Sequence, residues 1–265
     1  FAPLWVSYPA QIILSRGQPV IVKTKFENGF MPTKDELLIA VTENTKAIVV
    51  NSPNNPSGGI YDYDTLKMIA QIANERGIFV ITDEVYDDLV YEGTHKSMYG
   101  LVREELLIYI NAFSKSHSMT GWRVGYAATK NKDVKKKMSK IQSHVASNVN
   151  TIAQYAAIAA CETDNTYMVE EFKKRRQFII EKAREYGLDF LEPKGAFYLF
   201  FKVGDNDEEF CKRLLAEKLV AAVPGSAFEM PGFVRISFAN SLNILEEGMS
   251  RIKEFMDSLK NGSKS

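Results

Sequence analysis

Apolar runs and amphipathic stretches alternate through the first part of the chain. Short runs rich in β-branched residues predict strands at 46–51, 78–82, 106–111 and 124–129, and stretches of helical periodicity lie between them. Alternating strands and helices are typical of proteins that build a mostly parallel sheet covered by helices. The sequence therefore predicts an α/β fold with a mostly parallel sheet and helices on both of its faces.

The ends of several predicted elements carry their own signals. Thr33 is followed three residues later by Glu36, a capping box that predicts the start of a helix. Gly77 predicts the end of the helix at 64–76, because glycine adopts the left-handed conformation at little cost. The alternating residues at 19–25 predict one further strand.

The pattern changes after residue 129, where longer helical stretches replace the short alternation. A long and highly charged helix at 167–186 is expected to bridge two domains. The other elements predicted after residue 129 are helices at 132–144, 148–161 and 242–260 and strands at 196–201, 220–223 and 234–238. We therefore predict a large domain over residues 1–164 and a smaller C-terminal α/β domain over 165–265, which includes the bridging helix.

Composition and charge narrow the classes of function. The chain has 33 basic and 33 acidic residues, so it lacks the positive footprint of a protein that binds nucleic acid or an acidic membrane. No apolar stretch is long enough to span a bilayer. The two cysteines and three histidines show no metal-ligand spacing, so no metal is expected. Few cysteines and no targeting segment favour a reducing, cytoplasmic location.

Polar residues follow three of the predicted strands. Asn55 comes after the strand at 46–51, Asp83 directly after the strand at 78–82, and Lys115 after the strand at 106–111. Ligands of open parallel sheets bind at the carboxyl ends of the strands. An amide, a carboxylate and an amine are therefore expected to converge on one crevice.

These residue types suit pyridoxal phosphate. Lys115 supplies an amine that can form a Schiff base with a carbonyl cofactor, and Arg123, eight residues later, can hold a phosphate with two hydrogen bonds. Asp83 suits the pyridine nitrogen, while Tyr86 and Asn55 suit the phenolic oxygen of the ring. Once released by a substrate amine, the lysine can act as the base that moves a proton at the substrate Cα.

Each candidate also has an ordinary structural interpretation. A carboxylate after a strand often caps a helix, an amide before proline often serves a turn, and an arginine in an alternating strand often points to solvent. An aromatic residue near the start of a chain is as often part of the core as part of a site. These alternatives apply to Asp83, Asn55, Arg235 and Trp5, and Arg123 has the further alternative of an ion pair with Glu84.

Five motifs, taken in order, resemble those of the class I/II aminotransferases of pyridoxal-phosphate fold type I, the aspartate and aromatic aminotransferase-like group. They lie at 54–58, 83–86, 114–125, 195–198 and 234–237. By this resemblance Lys115 is the catalytic lysine that carries the cofactor, Arg235 clamps the substrate α-carboxylate, and Asn55 also binds the substrate. The resemblance assigns the remaining cofactor contacts to Asn55, Asp83, Tyr86, Arg123 and Trp5.

The resemblance implies an enzyme that moves an amino group from an amino acid to a 2-oxo acid. It further implies a homodimer, with no nucleic-acid or membrane partner. Members of the group have a further segment before the position of Trp5, so this chain is expected to begin in mid-domain.

Two other functions remain open from the residues alone. The same lysine and cofactor can support elimination between Cα and Cβ, which would make the protein a β-lyase. Aminotransferase-like domains also serve as non-catalytic sensor domains of transcription regulators.

Overall fold

A computed structural model describes residues 1–262, and its side chains as far as Lys260. The helices are α1 (Ser7–Leu14), α2 (Lys34–Ala40), α3 (Tyr63–Arg76), α4 (Phe113–Ser116), α5 (Lys132–Val145), α6 (Thr151–Cys161), α7 (Thr166–Glu185), α8 (Asp207–Lys218) and α9 (Leu242–Gly262). The strands are β1 (Ala47–Asn51), β2 (Phe79–Asp83), β3 (Leu107–Ala112), β4 (Gly125–Ala128), β5 (Phe190–Leu191), β6 (Tyr198–Lys202), β7 (Val223–Pro224) and β8 (Phe233–Ser237).

The chain forms two compact units. The first unit contains residues 1–30, 54–59 and the chain from 171 onward, and the second unit contains residues 31–53 and 60–170. The boundary near residue 171 falls within α7, the long helix that the sequence predicts as a bridge. The domain boundary predicted between residues 164 and 165 stays a prediction.

The second unit contains the mostly parallel sheet that the sequence predicts. Its strands follow the order β1-β2-β3-β4, with the first three parallel and β4 antiparallel to β3. The register places Asn51 opposite Asp83 and Asp83 opposite Ile110, so the carboxyl ends of three strands lie at one edge. Polar residues placed just after these strands are therefore held close together.

Local signals at the helix ends act as predicted. Thr33 accepts a hydrogen bond from the Glu36 amide at 3.3 Å, and the Glu36 carboxylate accepts one from the Thr33 amide at 2.8 Å. This capping box begins α2 and satisfies amides that have no partner within the helix. Gly77 ends α3 in the left-handed conformation, with φ of 66°. Both sequence predictions are confirmed.

The strand predicted at 19–25 is wrong, although its alternation is real. Val22 and Thr24 are buried while Val20 is exposed, as expected of an extended segment with one inner face. Among the described residues its only ladder contact is an isolated bridge between Ala2 and Lys23, supported by a 2.8 Å hydrogen bond from the Ala2 amide to the Val22 carbonyl. The alternation shows which side of the segment is buried. A strand must in addition pair with a neighbouring strand along its length.

The first unit is built on an antiparallel sheet of order β5-β6-β8-β7 and an aromatic core. Phe30, Phe200, Phe228 and Phe233 form one buried cluster. The rings of Phe200 and Phe233 stack at 4.9 Å between centroids, and Phe228 meets Phe200 edge-on at 6.1 Å. Because β8 carries Phe233 and the chain continues to Arg235, this core fixes the strand that presents the arginine.

Within the described residues, no helix has the length and apolar content that a bilayer span requires.

Candidate active site

Lys115 lies in the short helix α4, which follows directly from strand β3. Parallel pairing with β2 and antiparallel pairing with β4 fix the backbone that leads to it. The Lys115 Nζ atom lies 5.6 Å from the centroid of the Tyr86 ring, within the range of cation–π attraction. The structure therefore brings together two of the predicted site residues, Lys115 and Tyr86.

Asp83 is the last residue of β2, and Tyr86 lies in the turn that follows it. The Asn51 side chain donates to the Asp83 carbonyl at 3.0 Å, and the Val85 amide donates to the Asp83 carboxylate at 3.3 Å. Asp83 is half-buried, and Tyr86 is only 3% exposed. A carboxylate and a buried phenol are thus placed at the carboxyl end of the strand next to β3.

Glu84, between these two residues, has a structural partner of its own. Its buried carboxylate accepts hydrogen bonds from Ser97 at 2.9 Å and from the Met98 amide at 3.1 Å, and it pairs with His95 at 2.8 Å. Burial acts to raise the pKa of Glu84, but the hydrogen bond and charge of His95, with Ser97 and Met98, outweigh it and lower the pKa overall. The alternative in which Glu84 pairs with Arg123 is therefore not what the structure shows.

Arg123 has left-handed backbone geometry, with φ of 56°, just after a 3-10 turn at Thr120–Trp122. Its guanidinium donates to the Thr120 carbonyl at 2.9 Å and is exposed. None of the described carboxylates lies within ion-pair distance of it. The residue lines an open cleft of about 670 Å³ together with Gln142 and Asn150. An exposed guanidinium without a carboxylate is suited to bind an anion such as a phosphate.

The first unit holds a second group of predicted site residues. Arg235 donates from Nη1 to the Asn55 side-chain oxygen at 2.8 Å, across 180 positions of sequence. The guanidinium carbon lies 4.6 Å from the Tyr198 ring centroid and 4.9 Å from that of Phe228. Aromatic rings and an amide oxygen therefore hold the arginine in a defined orientation.

Trp5 lies on the segment that leads into α1. Its ring is half-buried and meets Tyr8 edge-on at 5.3 Å. Just before it, the Pro3 carbonyl accepts a hydrogen bond from the Asn54 side chain at 3.3 Å, and the Leu4 amide donates to the Phe228 carbonyl at 3.1 Å. Trp5 thus belongs to the same unit as the arginine group, and its stacking role stays a prediction.

Gly58 fixes the loop that carries Asn55. Its amide donates to the Asn54 carbonyl at 2.9 Å, and its carbonyl accepts from the amides of Lys194 and Gly195, both at 2.9 Å. Its φ is +67°, and a Cβ built there would lie 2.5 Å from the Pro193 Cβ. Only glycine fits both the conformation and the close approach.

Replacing Gly58 with alanine is expected to lower the free energy of unfolding by about 2–4 kcal/mol, since left-handed strain and overpacking add. Urea unfolding measures the loss. Gly77→Ala is the matched control, because Gly77 also has a left-handed φ of +66° but an added Cβ there would meet nothing within 4 Å. Equal destabilisation by the two variants would contradict the steric part of this explanation.

Several structural polar residues give no periodic signal in the sequence. Arg176 is 4% exposed, and its Nε donates to the Pro193 carbonyl, beside the loop of Gly58. Asp87 and Asn111 are joined by a 2.8 Å hydrogen bond across 24 positions. Hydrophobic pattern alone does not show which donor will meet which acceptor when the two residues lie this far apart in the sequence.

The polar groups of the second unit fit pyridoxal phosphate. A carboxylate suits the pyridine nitrogen of that cofactor, and a phenol suits its phenolic oxygen. An amine suits its carbonyl carbon, and a guanidinium suits its phosphate. These groups belong to Asp83, Tyr86, Lys115 and Arg123. No group of three or more potential metal ligands occurs in the part of the chain that the structure describes.

Comparison with known proteins identifies the family. The family model for "Aminotransferase class I and II" matches residues 1–252. The aspartate aminotransferase of Thermotoga maritima is 50% identical over 97% of this chain and 68% of its own length. That of Bacillus subtilis is 44% identical, over 96% of this chain and 68% of its own length.

Solved structures give the same answer. The crystal structure of the Thermotoga maritima aspartate aminotransferase matches with a TM-score of 0.94 and 49% identity, covering 97% of this chain and 68% of that chain. The aromatic aminotransferase of Pyrococcus horikoshii matches with a TM-score of 0.92 and 37% identity, covering 98% and 72%. These relatives favour amino transfer over the lyase and sensor alternatives. The chain therefore belongs to the class I and II aminotransferases, enzymes that use pyridoxal phosphate to exchange amino groups between amino acids and 2-oxo acids.

Proposed function

We propose that this chain transfers the amino group of aspartate to a 2-oxo acid. The proposal is supported by relatives that are named aspartate aminotransferases at 50% and 44% identity. The single observation of the structure that carries transfer from an amino acid is Arg235, a guanidinium oriented by Asn55 and two aromatic rings. Such a group recognises a carboxylate through two parallel hydrogen bonds. The choice of aspartate among amino acids is supported by the names of the two relatives.

In this proposal the second unit holds the cofactor. Bound pyridoxal phosphate supplies a ring that withdraws electrons from the substrate Cα. Asp83 would accept a hydrogen bond from the protonated pyridine nitrogen, and Tyr86 would donate one to the phenolic oxygen. The family pattern assigns Asn55 to the same oxygen. Arg123 binds the phosphate, for which its exposed guanidinium is suited.

Lys115 performs the proton chemistry. Its amine would hold the cofactor between reactions. Once a substrate amine had taken its place, the Nζ atom would accept the proton from the substrate Cα and deliver it to the carbonyl carbon of the cofactor. The fixed base of α4 and the neighbouring Tyr86 ring limit the positions that Nζ can reach. Restricting the amine in this way lowers the entropic cost of proton transfer.

Arg235 and Trp5 act on the substrate and the cofactor ring, respectively. Arg235 binds the α-carboxylate, which orients the Cα–H bond, and Asn55 holds the guanidinium for this task. Trp5 is proposed to stack on the cofactor ring, in keeping with the family pattern. Its half-buried position leaves part of the indole surface exposed.

Initial-rate measurements with a panel of amino donors test the proposed substrate. Transfer from aspartate to 2-oxoglutarate should exceed transfer from tyrosine or phenylalanine. A clear preference for the aromatic donors would overturn the choice of aspartate and favour the specificity named for the Pyrococcus horikoshii relative. No transfer from any donor would overturn the proposed function itself.

We also propose that the protein is a homodimer in the cytoplasm. Helices α5 and α6 of the second unit expose large apolar side chains, and a monomer rarely leaves such surface uncovered. These side chains are Ile141, Val145, Ile152, Tyr155 and Ile158. The two cysteines are free thiols, as suits a reducing compartment. Sedimentation should give twice the 29.9 kDa chain mass, and a purely monomeric species would contradict the dimer.

A further inference from the structure

The turn that carries Tyr86 and the strand that leads to Lys115 are joined by a polar side-chain cluster of the second unit. We propose that Asp87 and Asn111 form a clasp that positions Lys115 relative to Tyr86. The two clasp residues are positioning residues, since they act through their neighbours. The inference rests on the proposed roles of Lys115 and Tyr86.

The hydrogen bonds of the clasp use every polar atom of the Asn111 side chain. Its Nδ2 donates to the Asp87 carboxylate at 2.8 Å and to the Tyr109 hydroxyl at 2.9 Å, and its Oδ1 accepts from the Ala112 amide at 2.7 Å. The Tyr109 hydroxyl also donates to the Asp87 carboxylate, at 3.3 Å. An amide can make this set of contacts because it carries two donors and an acceptor, whereas a carboxylate or an apolar side chain cannot.

The position of the clasp links the two halves of the cofactor site. Asp87 directly follows Tyr86, in a turn closed by a 2.9 Å hydrogen bond from the Leu89 amide to the Tyr86 carbonyl. Asn111 is the penultimate residue of β3, at the base of the helix that carries Lys115. Opening the clasp would therefore loosen the connection between the Lys115 helix and the Tyr86 turn.

Burial makes the clasp energetically important. Asn111 is 7% exposed, and Tyr126, which lies opposite it in the strand register, stacks its ring on Tyr109 at 6.2 Å. Burial, followed by the charge of Asp88, raises the pKa of the Asp87 carboxyl. A half-buried carboxylate is costly without donors, so it holds the Asn111 amide firmly.

A second amide makes a parallel connection. The Asn165 side chain donates to the Asp88 carboxylate at 3.3 Å and to the Ser116 carbonyl at 3.2 Å. Asp88 follows Asp87, and Ser116 follows Lys115, so this bridge spans the same turn and the same helix. Two amides at different places in the sequence thus join the Tyr86 turn to the Lys115 helix.

Covalent capture of Lys115 tests the clasp without relying on turnover. The cofactor-free chain is mixed with pyridoxal phosphate and borohydride, and mass spectrometry follows labelling of the Lys115 peptide. In Asn111→Asp two carboxylates face each other, so the clasp opens and the labelling rate is expected to fall about 10- to 100-fold, as for a misplaced reacting group. The reversed pair D87N/N111D restores a donor opposite an acceptor and should return most of the rate.

Controls separate positioning from folding. Thermal unfolding of the cofactor-free variants shows whether each is folded at the labelling temperature. If Asn111→Asp is unfolded there, the milder Asp87→Asn replaces it in the test, with a smaller expected fall in the labelling rate. Asn44→Asp, an exposed site on the loop before β1, is the matched control and should label as fast as the unchanged chain. Folded variants that label at the unchanged rate, or a reversed pair no faster than N111D, would overturn the clasp. Failure of the unchanged chain to label at Lys115 would instead overturn the proposed function.

Discussion

Replacing Lys115 with alanine is expected to lower kcat by about 10²- to 10⁴-fold, because the group proposed to move the Cα proton is lost. The half-reaction with an amino donor, followed by stopped-flow absorbance, measures the step directly. Lys115→Arg is expected to lose a similar factor, although it keeps a cation near the Tyr86 ring. A guanidinium stays protonated at working pH and cannot accept the proton, so this variant separates charge from proton transfer.

Lys46→Ala is the matched control for Lys115, since this exposed lysine just before β1 has no part in the proposed site. Its half-reaction should proceed at the rate of the unchanged chain. A Lys115→Ala variant that keeps its rate within about tenfold would show that another group moves the proton, because general-base loss costs more than that.

The sequence predicts the elements around Lys115 well because their signals are local. The strands β1, β2 and β3 are short apolar runs, and their ends lie within one or two residues of the predicted positions. Burial of one sheet and its helices demands this periodicity, so pattern and structure agree. The capping box at Thr33 and the left-handed Gly77 are also local signals, because each depends on residues only a few positions away.

The failures are those of long-range pairing. Residues 19–25 have the pattern of a strand, but in the described part of the chain they form just one isolated bridge, and the hydrophobic pattern does not show which segments will be neighbours. The hydrogen bond between Arg235 and Asn55 joins residues that are 180 positions apart. The buried Arg176 donates to the Pro193 carbonyl because the fold brings these two residues together. Polar pairs of this kind depend on where the backbone carries each donor and acceptor, which hydrophobic periodicity does not encode.

The arginine pair also shows how motifs and structure complement each other. The family pattern marks Asn55 and Arg235 separately, each for a contact with a ligand. The structure adds that the amide oxygen of Asn55 binds the guanidinium itself, with Tyr198 and Phe228 beside it. An orientation set by the protein in advance of binding lowers the entropic cost of clamping a carboxylate.

Replacing Arg235 with leucine is expected to lower kcat/KM for aspartate by about 10²- to 10³-fold, the loss that follows removal of a hydrogen-bonded charge partner. Arg235→Lys should recover only a small part, because an ammonium cannot form two parallel hydrogen bonds. A primary amine that lacks the α-carboxylate should react equally slowly with the unchanged chain and with both variants.

The amine without an α-carboxylate shows whether the loss in the Arg235 variants comes from substrate binding or from folding. A merely structural arginine would change the reaction of both donors alike, since Tyr198 and Phe228 would repack around the substitution whatever the substrate. A carboxylate clamp changes only the donor that carries the carboxylate. Arg213→Leu, an exposed arginine on α8 whose Nε bonds Glu217, is the matched control and should leave both donors unaffected. Equal losses for the two donors in Arg235→Leu would therefore rule out the clamp and leave Arg235 as a structural residue of β8.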